Sequence, residues 1–156
     1  MSKLKCICGN GMSSSDVPSK NIVYVFKEDS IKSTLEKTPR ITLFDYETSE
    51  GEGFEYWYCT ECKRFHVVEN IPNGTVIKRY HPVDSGKVVF LGDMKTVYVF
   101  SAIEIYEAEE KNFEVSLGEY IKQEGKSHIY YVDASEEKVY KKTGESKGRL
   151  LYEIEK

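Results

Sequence analysis

Apolar and polar positions alternate with a period of two along much of this chain, the signature of half-buried strands. IVYVF (22–26), RITLFDY (40–46), FEYWYC (54–59), FHVVE (65–69), TVIKRYH (75–81) and TVYVF (96–100) carry the pattern. Asn73-Gly74 predicts a hairpin turn into TVIKRYH, and VDSG (83–86) and Gly92-Asp93 predict turns on either side of KVVFL. HIYYVDASEEKVYKK (128–142) predicts a hairpin around Asp133 to Glu137, and RLLYEIE (149–155) a final strand.

Helical periodicity is sparse. In DSIKSTLEKTP (29–39), Ser30 can cap a short helix that presents Ile31 and Leu35 before Pro39 ends it. SLGE (116–119) has the capping-box form and predicts a helix through Ile121 to about Glu124, stopped by Gly125. SAIEIYEAEEKN (101–112) fits either period; the alternation of Ile103 and Ile105 favours an extended start. GNGMSSSDVPSKN (9–21) predicts a loop that connects without packing, and no internal repeat is visible. The expected class is therefore α+β, predominantly antiparallel β, with one or two short helices, in one domain over residues 1–156.

Composition agrees with a folded chain: 40% of residues are hydrophobic and 31% charged, and 12 Tyr and 7 Phe fall mostly in the alternating runs. Net charge is −4, which offers no general attraction to nucleic acid or to an anionic membrane. The opening MSKLKCICGNGMSSSD lacks the apolar stretch of roughly 7–15 residues found in secretory signals. No apolar run is long enough to span a bilayer, so the expected location is the cytoplasm, where thiols stay reduced.

That setting gives the cysteines their meaning. All four fall in KCICGNG (5–11) and WYCTECKRF (57–65). Two closely spaced pairs can each donate two thiolates to a tetrahedral metal, so Cys6, Cys8, Cys59 and Cys62 are the candidate ligands. Cys59-x-x-Cys62 has the usual spacing, whereas Cys6-x-Cys8 is one residue shorter and is followed by Gly9. The alternatives are four free thiols packed in a core, a redox pair at Cys59 and Cys62, or His66 in place of a cysteine. Strand flanks disfavour the redox pair, and alternation in FHVVE makes His66 an ordinary strand side chain.

These motifs, at 6–9 and 59–62 with the flanking strands 54–58 and 65–69, resemble the zinc-ribbon superfamily, in which two cysteine knuckles clamp one metal. The resemblance implies a structural Zn2+ held by Cys6, Cys8, Cys59 and Cys62. Lys63-Arg64 departs from it, since a glycine is frequent there. The layout also looks like small bacterial zinc-ribbon proteins, some of them described as immunity or interaction factors.

Nothing in the sequence suggests catalysis. No Walker A, Gly-x-Gly-x-x-Gly or HExxH motif occurs, and His66, His81 and His128 lie in separate strand-like segments. Charge is uneven, however. Residues 43–56 carry Asp45, Glu47, Glu50, Glu52 and Glu55 with no basic residue, and residues 104–124 carry seven Glu against Lys111 and Lys122. With Trp57 and Tyr120 beside them, these blocks suggest a surface for a basic protein partner, with Asp45, Glu47, Glu52, Trp57, Glu107 and Tyr120 as contacts. The expected function is a non-enzymatic, zinc-stabilised interaction domain, an immunity or inhibitor protein being its concrete form. The second reading is a nucleic-acid-associated zinc ribbon using Lys63, Arg64, Lys78 and Arg79 with Phe65 and Tyr80.

Overall fold

The computed structural model describes residues 3–13, 19–42, 54–69, 75–111, 116–124 and 128–155. Eleven strands occur among them: β1 Lys3–Lys5, β2 Gly11–Ser13, β3 Ile22–Lys27, β4 Phe54–Tyr58, β5 Phe65–Glu69, β6 Thr75–Pro82, β7 Val88–Phe90, β8 Lys95–Ser101, β9 Ile129–Val132, β10 Lys138–Lys142 and β11 Lys147–Ile154. Three helices accompany them: α1 Glu28–Lys37, α2 Ala102–Lys111 and α3 Leu117–Glu124.

Eight of the strands close on themselves. Around the ring the order is β10, β9, β8, β3, β4, β5, β6, β11, and β11 pairs back with β10, every neighbour antiparallel. The architecture is thus an eight-stranded barrel and not a zinc ribbon. Closure removes the exposed edges that an open sheet of aromatic strands would present. β7 lies outside the ring against the start of β11, and β1 and β2 form a separate hairpin.

Alternation decides what each face meets. On β3 and β8, Phe26, Tyr98 and Phe100 point outward and are buried by Ile31 of α1, Ile105 of α2 and Leu117 of α3. A second cluster of Cys6, Met12, Trp57, Cys59 and Val68 seats the β1–β2 hairpin on the outer face of β4 and β5. Leu91, Tyr140 and Leu150 form a third beneath β7, where a Cβ at Gly148 would press on the Leu91 side chain and force it to shift.

Three local expectations need correction. Within 101–112 the chain is helical over Ala102–Lys111, because Ser101 Oγ accepts the amide of Glu104 at 3.1 Å, a Ser-x-x-Glu cap that outweighs the Ile alternation. The described parts of 9–21 pack: Gly11–Ser13 is strand, Met12 is buried, and Ser19 and Asn21 are buried and hydrogen-bonded. α1 starts at Glu28 with no side-chain cap, so Ser30 lies inside it. The Asn73-Gly74 turn, Gly125 and most of the 40–46 strand lie outside the described residues.

A repeat is present after all. VYVF occurs at 23–26 and again at 97–100, an offset of 74 residues that the strand pairing preserves. Val23 faces Tyr56 as Val97 faces Tyr130, and Tyr58 faces Phe65 as Val132 faces Val139. Where the two copies meet, Val25 pairs with Val99, with Tyr24 opposite Phe100 and Phe26 opposite Tyr98. The halves, each a strand, helical segment and three-strand meander, are therefore related by a rotation through the Val25–Val99 pair. Outside VYVF few residues match, which is why the sequence hides the repeat.

His66 is 1% exposed on the outer face of β5, between Trp57 and Arg79 across the ladder, and neither ring nitrogen has a partner among the described residues. Burial, then the charge of Arg79, lowers its pKa. The folded state thus disfavours protonated His66. Its contribution is fully present above the unfolded value of about 6.5 and is lost as pH falls through the lower folded value. We expect the gap in urea-unfolding stability between the protein and its His66→Leu variant to widen, in the variant's favour, from pH 7.5 to pH 5.5; a pH-independent gap would contradict this. Phe100→Ala should cost about 3–5 kcal/mol in the same measurement, since it empties the centre of the seam under all three helices.

Candidate metal centre

Pairing of β4 with β5 ends at Tyr58 opposite Phe65, so residues 59–64 must turn between them. Cys59 N donates to Arg64 O at 2.9 Å and Lys63 N to Cys59 O at 2.9 Å. The β1–β2 hairpin ends at Lys5 opposite Gly11, and its turn makes the same two bonds in one residue less: Cys6 N to Asn10 O and Gly9 N to Cys6 O, both 2.8 Å. The short Cys6-x-Cys8 spacing is therefore a tighter version of the same knuckle. In each, the residue after the second cysteine has positive φ, 99° at Gly9 and 65° at Lys63. Lys63 holds this conformation where a glycine is frequent, with Nζ bonded to Thr60 O at 2.7 Å.

The other half of the barrel has a turn at the matching position that contains no cysteine. At the matching turn, Asp133 stands where Cys59 does, and its Oδ1 accepts the amides of Glu137 and Lys138 at 2.9 and 3.1 Å. Asp133 N donates to Lys138 O, just as Cys59 N donates to Arg64 O. One turn is organised around a carboxylate, the other around a sulfur.

The two knuckles meet. The Sγ atoms of Cys6, Cys8, Cys59 and Cys62 all lie within 4.8 Å of one another, with Cys6 to Cys62 at 3.3 Å and Cys8 to Cys59 at 3.7 Å. These separations far exceed a disulfide bond of about 2.05 Å. They lie close to the ~3.8 Å expected between corners of a tetrahedron whose metal–sulfur bonds are about 2.3 Å. The cluster can hold one metal ion.

The surroundings favour anionic sulfur. Burial alone would raise the Cys59 thiol, but the amides of Cys62 and Glu61 and the Asn10 side chain outweigh it and bring the pKa to about 6. Asn10 Nδ2 sits 3.5 Å from Cys59 Sγ. Burial also opposes ionisation of Cys62, yet Arg64, through its side chain and its amide, holds that thiol below its usual value. The same guanidinium is paired with Glu155 at 2.5 Å, which fixes its direction. Cys6 differs: burial pushes it up to about 12, so without a cation it keeps its proton beside thiolates. A divalent ion would change that balance, because a coordinated thiol ionises outright.

Asn21 ties the two hairpins beneath the sulfurs. Its Oδ1 accepts from Ser13 N at 3.2 Å, its Nδ2 donates to Tyr58 O at 3.0 Å, and its carbonyl accepts from Tyr58 N at 2.7 Å. Asn10, Asn21 and Arg64 were not expected among the site residues. Asn10 and Arg64 adjoin cysteines in sequence, whereas Asn21 carries no local signal. His66 is not part of the cluster.

Of the residues expected on a partner surface, two pack in or against the core. Trp57 is 2% exposed beneath the knuckles, out of a partner's reach, because it faces the β1–β2 hairpin. Tyr120 packs against the helix-covered core, its ring 5.8 Å from Phe100. Glu107 is exposed on α2. Asp45, Glu47 and Glu52 lie outside the described residues. The basic set is dispersed: Arg64 is paired with Glu155, Lys78 lies 3.6 Å from Glu136, and Lys78 and Arg79 occupy opposite faces of β6. Phe65 and Tyr80 point into the barrel. Among the described residues no helix is long and apolar enough to cross a membrane.

Gly9→Ala isolates the backbone demand of the first knuckle, because a Cβ there would meet nothing within 4 Å. We expect a loss of about 1–2 kcal/mol in chemical unfolding from the left-handed conformation alone; an unchanged midpoint would show that the turn tolerates a different φ.

No curated protein and no solved structure matches the chain. Residues 2–143, which include both knuckles and ten of the eleven strands, match the family described as Domain of unknown function (DUF8617), and the chain belongs to that family.

Proposed function

We propose that Cys6, Cys8, Cys59 and Cys62 hold one structural Zn2+ and that the barrel so clamped is a non-enzymatic binding module. The observation that carries this is the gathering of four sulfurs from two knuckles within 4.8 Å. Soft thiolates in a tetrahedral set select zinc among the common divalent ions, and four protein ligands leave no open position for a reacting water. Clamping the β1–β2 hairpin also seals Trp57, Met12 and Val68 from water, so metal binding and burial support each other.

The protein should purify with one zinc per chain when no chelator is used. Strong chelation should lower its melting temperature and alter the fluorescence of Trp57, the single tryptophan, which lies in the same cluster as Cys6 and Cys59. Cys59→Ser should reproduce both effects. Substoichiometric zinc, or a melting curve indifferent to chelation, would contradict the reading.

As a partner we propose a protein with a basic surface, docking on the outward side of α2. Ile103 and Tyr106 are 37% and 38% exposed there, beside exposed Glu107. Apolar groups framed by carboxylate suit such a contact, with charge setting partner choice and association rate. An immunity or inhibitor role would use this face. Capture from host lysate should be lost in a Tyr106→Ala, Glu107→Lys variant; identical capture by variant and parent would rule this face out.

A further inference from the structure

Inside the barrel lies a cavity of about 340 Å3 to which all eight strands of the ring contribute. Its aliphatic wall comes from the inward positions of the strands, among them Val25, Val67, Val97, Val99, Val132 and Val139. Phe65, Tyr56, Tyr80, Tyr130 and Tyr152 supply aromatic surface. Eight strands give an interior either just filled by side chains or able to hold one small ligand. Here valine stands at many inward positions where leucine or phenylalanine would have closed the space. The volume falls within the range of roughly 300–1,000 Å3 typical of small-molecule sites.

The repeat supplies a second observation. Tyr56 and Tyr130 are equivalent under the 74-residue offset, as are Val25 and Val99, and Phe65 and Val139. The two halves differ in most other residues, yet both line the cavity with tyrosine at the same place. Burial pushes the Tyr80 and Tyr152 phenols up to about 12 and raises Tyr130, so these three stay neutral.

The polar groups of the wall are unbalanced in charge. Lys27 and Lys78 line it with Glu136; Lys78 lies 3.6 Å from that carboxylate, and Tyr80 Oη donates to Glu136 O at 2.6 Å. Lys27 has no ion pair among the described residues. Lys141, on the same face of β10 as Val139, rests its Nζ 4.3 Å from the centre of the Tyr130 ring. Among the described residues cations thus outnumber carboxylates around this space.

We propose that the barrel interior binds a small organic acid with an apolar body, its carboxylate directed to the lysine and tyrosine groups and its body held among the valines. The ligand is a monoanion of medium-chain fatty-acid size. This goes beyond the metal-clamp reading and stands apart from the α2 face, since the cavity is walled by neither.

Calorimetric titration of the zinc-loaded protein with decanoate, decanol and decylamine tests it. Decanoate should bind at one site per chain and at least tenfold more tightly than the other two. Val99→Phe, which puts a ring into the cavity, should weaken decanoate at least tenfold while zinc content and circular dichroism stay unchanged. Lys27→Met should narrow the gap between decanoate and decanol without removing either. Should Val99→Phe misfold, Val25→Ile supplies a milder filling, and it should weaken decanoate binding. No saturable binding, equal binding of the three probes, or binding undiminished by filling the cavity would overturn the proposal. None of these outcomes bears on the zinc reading, which stands or falls on metal content and melting.

Discussion

Four sulfurs within 4.8 Å form a concentration of potential negative charge that protein groups alone balance poorly. Asn10, the knuckle amides and Arg64 favour ionised sulfur at Cys59 and Cys62, while burial works against ionisation at Cys6. A single divalent cation would resolve the conflict: every thiol would be a thiolate, and the residual charge would be met by Arg64, whose other side is anchored by Glu155. The same place in the fold holds the β1–β2 hairpin against the barrel through the burial of Trp57 and the hydrogen bonds of Asn21.

The barrel gives the clamp a rigid base. Two copies of a strand, helical segment and meander meet at β3–β8 and at β6–β11, and the first seam is symmetric about Val25 and Val99. Symmetry is broken at the turns. Asp133 satisfies its turn amides with a carboxylate, which requires no partner from elsewhere in the chain. Cys59 occupies the equivalent place with a sulfur, which can join a second knuckle. The asymmetry therefore couples one end of the barrel to the N-terminal hairpin and leaves the other free of it.

Much of this was legible locally and little of it globally. Alternation located β3 to β6 and β8 to β11 to within a few residues because each strand has one face in a core and one in a different environment. The cysteine spacing pointed to one cluster because short turns restrict where paired sulfurs can go. Barrel closure was not legible, since pairing β6 with β11 depends on contacts between residues such as Tyr80 and Ile154, far apart in the chain. α2 was misjudged because the Ser101 cap competes with Ile103 and Ile105, and those two residues fit both periods. Trp57 looked like an interface residue from its acidic neighbours, but strand parity turns it toward Met12 and Cys6.

X-ray absorption at the zinc edge of the purified protein addresses the clamp most directly. The account predicts four sulfur neighbours at about 2.3 Å and no nitrogen or oxygen in the coordination shell. A shell containing nitrogen or oxygen, or no bound zinc to measure, would contradict it.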